Sequence, residues 1–173
     1  PRIPASNAKV LSAAAVLEAV PHDQRLTTTV VAGSNGQIIL RGAGDPTLSA
    51  QPAGTDTFYT DPGRIADLAR QIEDTEIPVT SVAVDLSAFS GPTMDTTWDR
   101  RDIQGGDIAP IESLMVDGAR LEPLDEYSPR TAEPGIMAGE ALAAALGVEG
   151  PVTEVTGSGA AASGNDRVIA KVQ

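Results

Sequence analysis

The chain reads as a mixed α/β fold of short strands and a few helices, and three observations carry that reading. A β-branched run from Leu26 to Ala32 is followed by Asn35-Gly36 and a second apolar run, Gln37 to Arg41. Asn-Gly between two such runs is a hairpin signature, because both turn positions require positive φ. Next, Ile65, Leu68, Ala69 and Ile72 recur at i, i+3, i+4 and i+7, the stripe of an amphipathic helix. A third β-rich run, Pro78 to Asp85, comes after it, so hairpin, helix and strand follow in order. The 17 glycines and 13 prolines supply ends for many short elements, as a helical bundle would not need.

Taken in order, the first element is a helix from about Ala8 to Val20, nearly all Ala, Val and Leu, ended by Pro21-His22-Asp23. Pro4 suits a helix start, and Ser6 is a candidate cap or first-turn residue. A helix apolar on every side is expected to be buried on most sides. His22, the single histidine, sits in a polar turn and is expected to be exposed. After the hairpin, Gly42-Ala43-Gly44 lacks the third glycine of a dinucleotide loop, since Thr47 stands there. The glycines are read as a tight turn, with Asp45 hydrogen-bonding the local backbone. Asp61 is the expected cap of the amphipathic helix. Ile111 to Val116 and Leu121 are read as strand, and Glu122 to Pro134 as loop. Gly135 to Leu146 is then a helix stopped by Gly147, Val152 to Thr156 a strand, Gly157 to Gly164 a turn, and Arg167 to Val172 a final strand.

Composition excludes several classes of function. Aromatic residues make up 3% of the chain, so its core must be aliphatic. A net charge of −12 argues against nucleic acid and against an anionic membrane surface, both of which need clustered Lys and Arg. Trp98, beside Asp99-Arg100-Arg101, is accordingly read as a ring packed on a rim. With no cysteine there is neither a disulfide nor thiol chemistry. These 173 residues hold no signal-peptide pattern and no run of about 18 apolar residues, which leaves export open.

Chemistry concentrates at the first helix. The chain has two lysines, Lys9 and Lys171, and Lys9 interrupts the apolar segment. A lysine there needs a partner, and residues three apart share a helix face, which puts its ammonium within reach of the Ser6 hydroxyl. Ser-x-x-Lys at a helix start offers a nucleophile, an amine whose pKa burial could lower so that it takes the serine proton, and a helix N-terminus that favours an oxyanion. The plainer alternative makes Ser6 a cap and Lys9 a snorkelling or acid-paired side chain.

Pro4-Ala5-Ser6-Asn7-Ala8-Lys9-Val10-Leu11-Ser12 resembles the active-site segment of the penicillin-binding proteins. Three further stretches are similar, in the same order, to segments of the class C low-molecular-mass group, the D-alanyl-D-alanine carboxypeptidases and endopeptidases. These are Leu40 to Leu48, Val84 to Pro92 and Ala109 to Gly118. The resemblance implies that Ser6 is the nucleophile and Lys9 its base. It also implies that Asp85 faces the cleft and contacts a basic group of the peptide substrate, although an Asp capping its own turn explains that residue equally well. That family also carries Ser-x-Asn and Lys-Thr-Gly motifs. No Lys-Thr-Gly occurs here, and Ser163-Gly164-Asn165 lies in a Gly/Ala-rich turn before a strand, so it is rejected as the second motif.

The chain is therefore expected to be an N-terminal portion. Residues 1–24 would belong to a serine transpeptidase/β-lactamase-like catalytic domain, 25–170 would form an inserted α/β domain, and 171–173 would return towards the catalytic domain. The expected partners are the remaining segment of the same polypeptide as a second chain, peptidoglycan stem peptides and β-lactam antibiotics, with no nucleic acid. No metal or other cofactor is expected, and the resemblance places the protein outside the cytoplasmic membrane. A catalytically inactive homologue serving as a wall-binding or scaffold module is the main alternative. A class A β-lactamase shares Ser-x-x-Lys but lacks the segments at 40–48 and 84–92.

Overall fold

A computed structural model describes residues 5–155 and 167–173. Pro4 and the Ser163-Gly164-Asn165 stretch lie outside these residues. A 3-10 turn, Ala5–Asn7, leads into α1, Ala8–Ala19. The hairpin strands are β1, Thr28–Ala32, and β2, Gln37–Arg41. Then come α2, Ile65–Glu73, β3, Ser81–Asp85, and a one-turn α3, Arg101–Gln104. A 3-10 turn at Asp117–Ala119 precedes α4, Pro134–Ala145, β4, Thr153–Glu154, and β5, Val168–Val172.

The strands form one mixed sheet in the order β4-β3-β2-β1-β5. β1 pairs antiparallel with β2 and with β5, whereas β2–β3 and β3–β4 are parallel. Parallel neighbours need a crossover. α2 lies in the connection from β2 to β3, and α4 in that from β3 to β4. The hairpin forms as expected: Asn35 and Gly36 sit at φ 56° and 78°, and Gln37 N–H donates to Ser34 O at 3.0 Å.

The main core lies between one sheet face and the two crossover helices. Ile65, Leu68, Ala69 and Ile72 of α2 are all buried, as their spacing predicts. They meet Val30, Ile38, Leu40, Val82 and Val84 from the sheet and Ala138, Leu142 and Ala143 from α4. Val31, Ile39 and Ala83 point to the opposite face, and Val155 packs there.

Four expectations need correction. α1 is helical where its composition says, but none of its residues is buried, and Leu11 is 76% exposed. Its apolar surface has no covering element among the described residues. Asp61 does not cap α2. It has φ 46°, and the helix starts four residues later because Ile65 N–H donates to Ser49 O, with Arg64 held extended in a bridge to Ser49. Residues 111–116 with Leu121 do not make a strand. Only Leu114 bridges, to Asp45, and positive φ at Asp117, Gly118 and Ala119 ends any pairing. The expected strand at 152–156 is reduced to Thr153–Glu154 among the described residues.

Candidate active site

The 3-10 turn at Ala5–Asn7 delivers Ser6 to the head of α1, one helical turn before Lys9. There Lys9 Nζ donates to Ser6 Oγ at 3.0 Å. Ser6 is not the helix cap: that position is Asn7, which makes no side-chain capping bond. Among the described residues no carboxylate lies within ion-pair distance of Lys9. Both side chains are exposed, so the burial expected of Lys9 is absent here. His22, likewise exposed, donates from Nε2 to Leu17 O at 3.0 Å and takes no part in this pair.

Asp85, at the end of β3, is fully buried. The parallel register sets Arg41 opposite it, and Arg41 Nε donates to its Oδ2 at 2.6 Å. Its Oδ1 accepts the N–H of Ser87 at 2.9 Å, which ties down the first turn of the following loop. Among the described residues no hydrogen bond or ion pair joins Ser6 or Lys9 to Asp85. Asp45 plays the local part expected of it, accepting Thr47 N–H at 2.8 Å.

Beyond Asp85 the loop folds over a cavity of about 430 Å³, lined by Leu86, Phe89, Ser90, Pro92, Glu112 and Glu154 among others. Phe89 seats its ring on Gly44, whose φ is 95°; a Cβ there would stand 2.7 Å from the ring. Only glycine fits both the conformation and the contact. Asp85 is not itself in the lining.

Glu112 reaches from this cavity to the head of α4, where Oε2 accepts Gly135 N–H at 2.7 Å. Burial pushes its carboxyl above the ordinary 4.5; the Gly135 N–H pulls back, and the charges of Glu154 and Glu133 push the same way as burial. A carboxyl with a raised native pKa holds more protons folded than unfolded, so its contribution to stability falls as pH rises from 4.5 through the native value. Glu112→Gln keeps an acceptor for Gly135 and removes the charge. Urea midpoints should show this variant gaining on wild type as pH rises through that window; parallel profiles would contradict the assignment.

Sequence reasoning singled out Ser6, Lys9 and Asp85 as candidates and did not name Arg41 as the partner of Asp85. The signal was present, since a helix between two strands implies parallel neighbours, and both strands end on a charged residue. Glu112 carried no comparable signal, because its partner lies at a helix start 23 residues on.

Comparison with known proteins points in one direction. The model of the D-Ala-D-Ala carboxypeptidase 3 (S13) family matches residues 1–172. Carboxypeptidase DacB of Mycolicibacterium smegmatis is 55% identical over 151 residues, which is 86% of this chain and 33% of the relative. Carboxypeptidase Rv3627c of Mycobacterium tuberculosis is 46% identical over 176 residues, covering 100% of this chain and 37% of the relative. The chain thus spans about a third of the length of the curated relatives it matches.

Proposed function

Because this chain belongs to the D-Ala-D-Ala carboxypeptidase 3 (S13) family, we propose that it is the nucleophile-bearing portion of a penicillin-sensitive serine carboxypeptidase acting on peptidoglycan stem peptides. The observation that carries the reading is the 3.0 Å contact between Lys9 Nζ and Ser6 Oγ at the head of α1. With the amine neutral, the same contact runs the other way, and the Ser6 proton passes to Lys9 as Oγ attacks the carbonyl carbon between two terminal D-alanines. The tetrahedral oxyanion forms near the helix N-terminus, where backbone N–H groups favour negative charge. Its collapse breaks the C–N bond, D-alanine leaves with the proton held by Lys9, and water hydrolyses the ester on Ser6. A β-lactam acylates Ser6 by the same route, opening its ring, and is released slowly.

The remainder of the polypeptide, supplying Ser-x-Asn and Lys-Thr-Gly, is the partner on which this reading depends. It covers α1, whose Val10, Leu11, Val16 and Leu17 are 57–76% exposed here, and so provides the burial that Lys9 lacks in this structure. Residues 1–24 belong with that catalytic domain, and 25–170 form the inserted unit, whose last strand runs on to Val172. Asp85 meets a basic group of the substrate while still accepting from Arg41 Nε and Ser87 N–H. The protein works outside the cytoplasmic membrane, where peptidoglycan lies.

The test is benzylpenicillin added to the full-length protein, followed by peptide mass mapping. A penicilloyl adduct on Ser6 is expected. Intact, folded protein with no adduct would instead leave the inactive-homologue reading.

A further inference from the structure

Arg120 and Arg130 lie outside everything used so far. They face each other in an antiparallel bridge, bracketed by Leu121 N–H to Pro129 O and Thr131 N–H to Ala119 O, both at 3.0 Å. Residues directly opposite in such a pair send their side chains to the same side, with Cβ atoms about 5 Å apart. The two arginines are 7% and 8% exposed, so two cations sit together more than nine-tenths buried. Like charges opposed across a strand pair are destabilising, and burial adds a desolvation cost to each.

Their partners are few and mostly neutral. Arg120 Nη1 donates to Asp117 O at 2.9 Å and to Tyr59 Oη at 3.1 Å, and its guanidinium lies 3.7 Å over the Phe58 ring. Arg130 Nη2 donates to Glu126 O at 3.2 Å. Among the described residues neither arginine has a carboxylate within ion-pair distance. Asp125 and Asp107 act on Arg130 only through space, and burial followed by the charge of Arg120 pulls that guanidinium below its ordinary value. Among the described residues Arg120 Nε and Arg130 Nη1 have no acceptor. An orphaned N–H on a buried charge is among the costlier defects a fold can hold, and each of the two opposed arginines carries one.

We propose that Arg120 and Arg130 together form a binding site for a small oxyanion of the carboxylate or phosphate class, each orphaned N–H donating to a different oxygen. Guanidinium N–H groups point in the plane of the group and match oxyanions with two or more oxygens, whereas a halide presents one acceptor point. Phe58 covers a face of Arg120, which leaves the edge for the anion. The bound charge offsets the repulsion between the arginines and ties the 120 and 130 segments together.

The experiment uses the full-length protein at pH 7 and constant ionic strength, with sodium chloride replaced stepwise by sodium acetate or by sodium phosphate. A ligand that binds only the folded state raises Tm along a saturating curve. The expected result is a saturable rise of about 2–4 °C, absent from Arg130→Gln, with the stronger of the two salts naming the class of anion. A rise that does not saturate and is shared equally by the variant overturns the proposal. Should Arg130→Gln not fold, wild-type crystals soaked in sodium selenate decide: an anomalous peak between Arg120 Nε and Arg130 Nη1 supports the site, and no peak there refutes it.

Discussion

Lys9→Ala is expected to slow acylation of the full-length protein by benzylpenicillin about a hundred-fold or more, the usual range for removing a positioned general base. Stability should be nearly unchanged, because alanine is the best helix former and, among the described residues, the Lys9 side chain bonds only to Ser6. Stopped-flow or fluorescent-penicillin labelling gives the rate, and circular dichroism with a melting curve checks the fold. The combination matters, since a lysine that merely snorkels would leave acylation intact when removed. Labelling at the wild-type rate would mean that the Ser6 proton goes elsewhere. The effect should be largest near neutral pH, where hydroxide cannot stand in for the amine.

Asp85→Ala should be the most destabilising exchange among the candidate site residues, at about 3 kcal/mol. That is the low end of the cost of stripping one partner from a buried ion pair, because the Arg41 side chain keeps 18% exposure. Two bonds are lost together, those from Arg41 Nε and Ser87 N–H. Asp85→Asn keeps an oxygen for Ser87 and should lose less. Urea unfolding measures both, and a loss under about 1 kcal/mol for the alanine variant would place the carboxylate outside the framework of the fold. Kinetics of Asp85→Asn separate the substrate role: a KM raised for peptides with a basic side chain, and unchanged for neutral ones, is the mark of direct contact.

These two residues differ in how far the amino-acid order alone reveals them. Ser6 and Lys9 lie on one stretch of helix, where spacing dictates proximity, so their contact is legible without tertiary information. The same holds for the α2 stripe and the Asn35-Gly36 turn, whose causes are local. The partnership of Arg41 with Asp85 depends on the parallel register of β2 and β3, which two strands distant in the chain acquire only in the folded sheet. Ile111 to Val116 has strand-like residues, yet pairing needs a neighbour, and only Asp45 provides one, at Leu114. The one-turn α3 is too short to show a period. α1 is the opposite case: its composition foretells a helix, which forms, and burial, which it lacks because no described element covers it.

The pairing of β1 with β5 has a topological result. Thr28 stands opposite Val172, so the chain leaves the sheet within one interstrand spacing of where it came in. A module with such a narrow neck can be spliced into a surface turn of a host without prising the host open, and it can hold its shape while hinging there. On the division proposed at residues 25–170, the same neck is the weak point: cutting or unzipping the outer strand would free one tether and leave the unit held by the other.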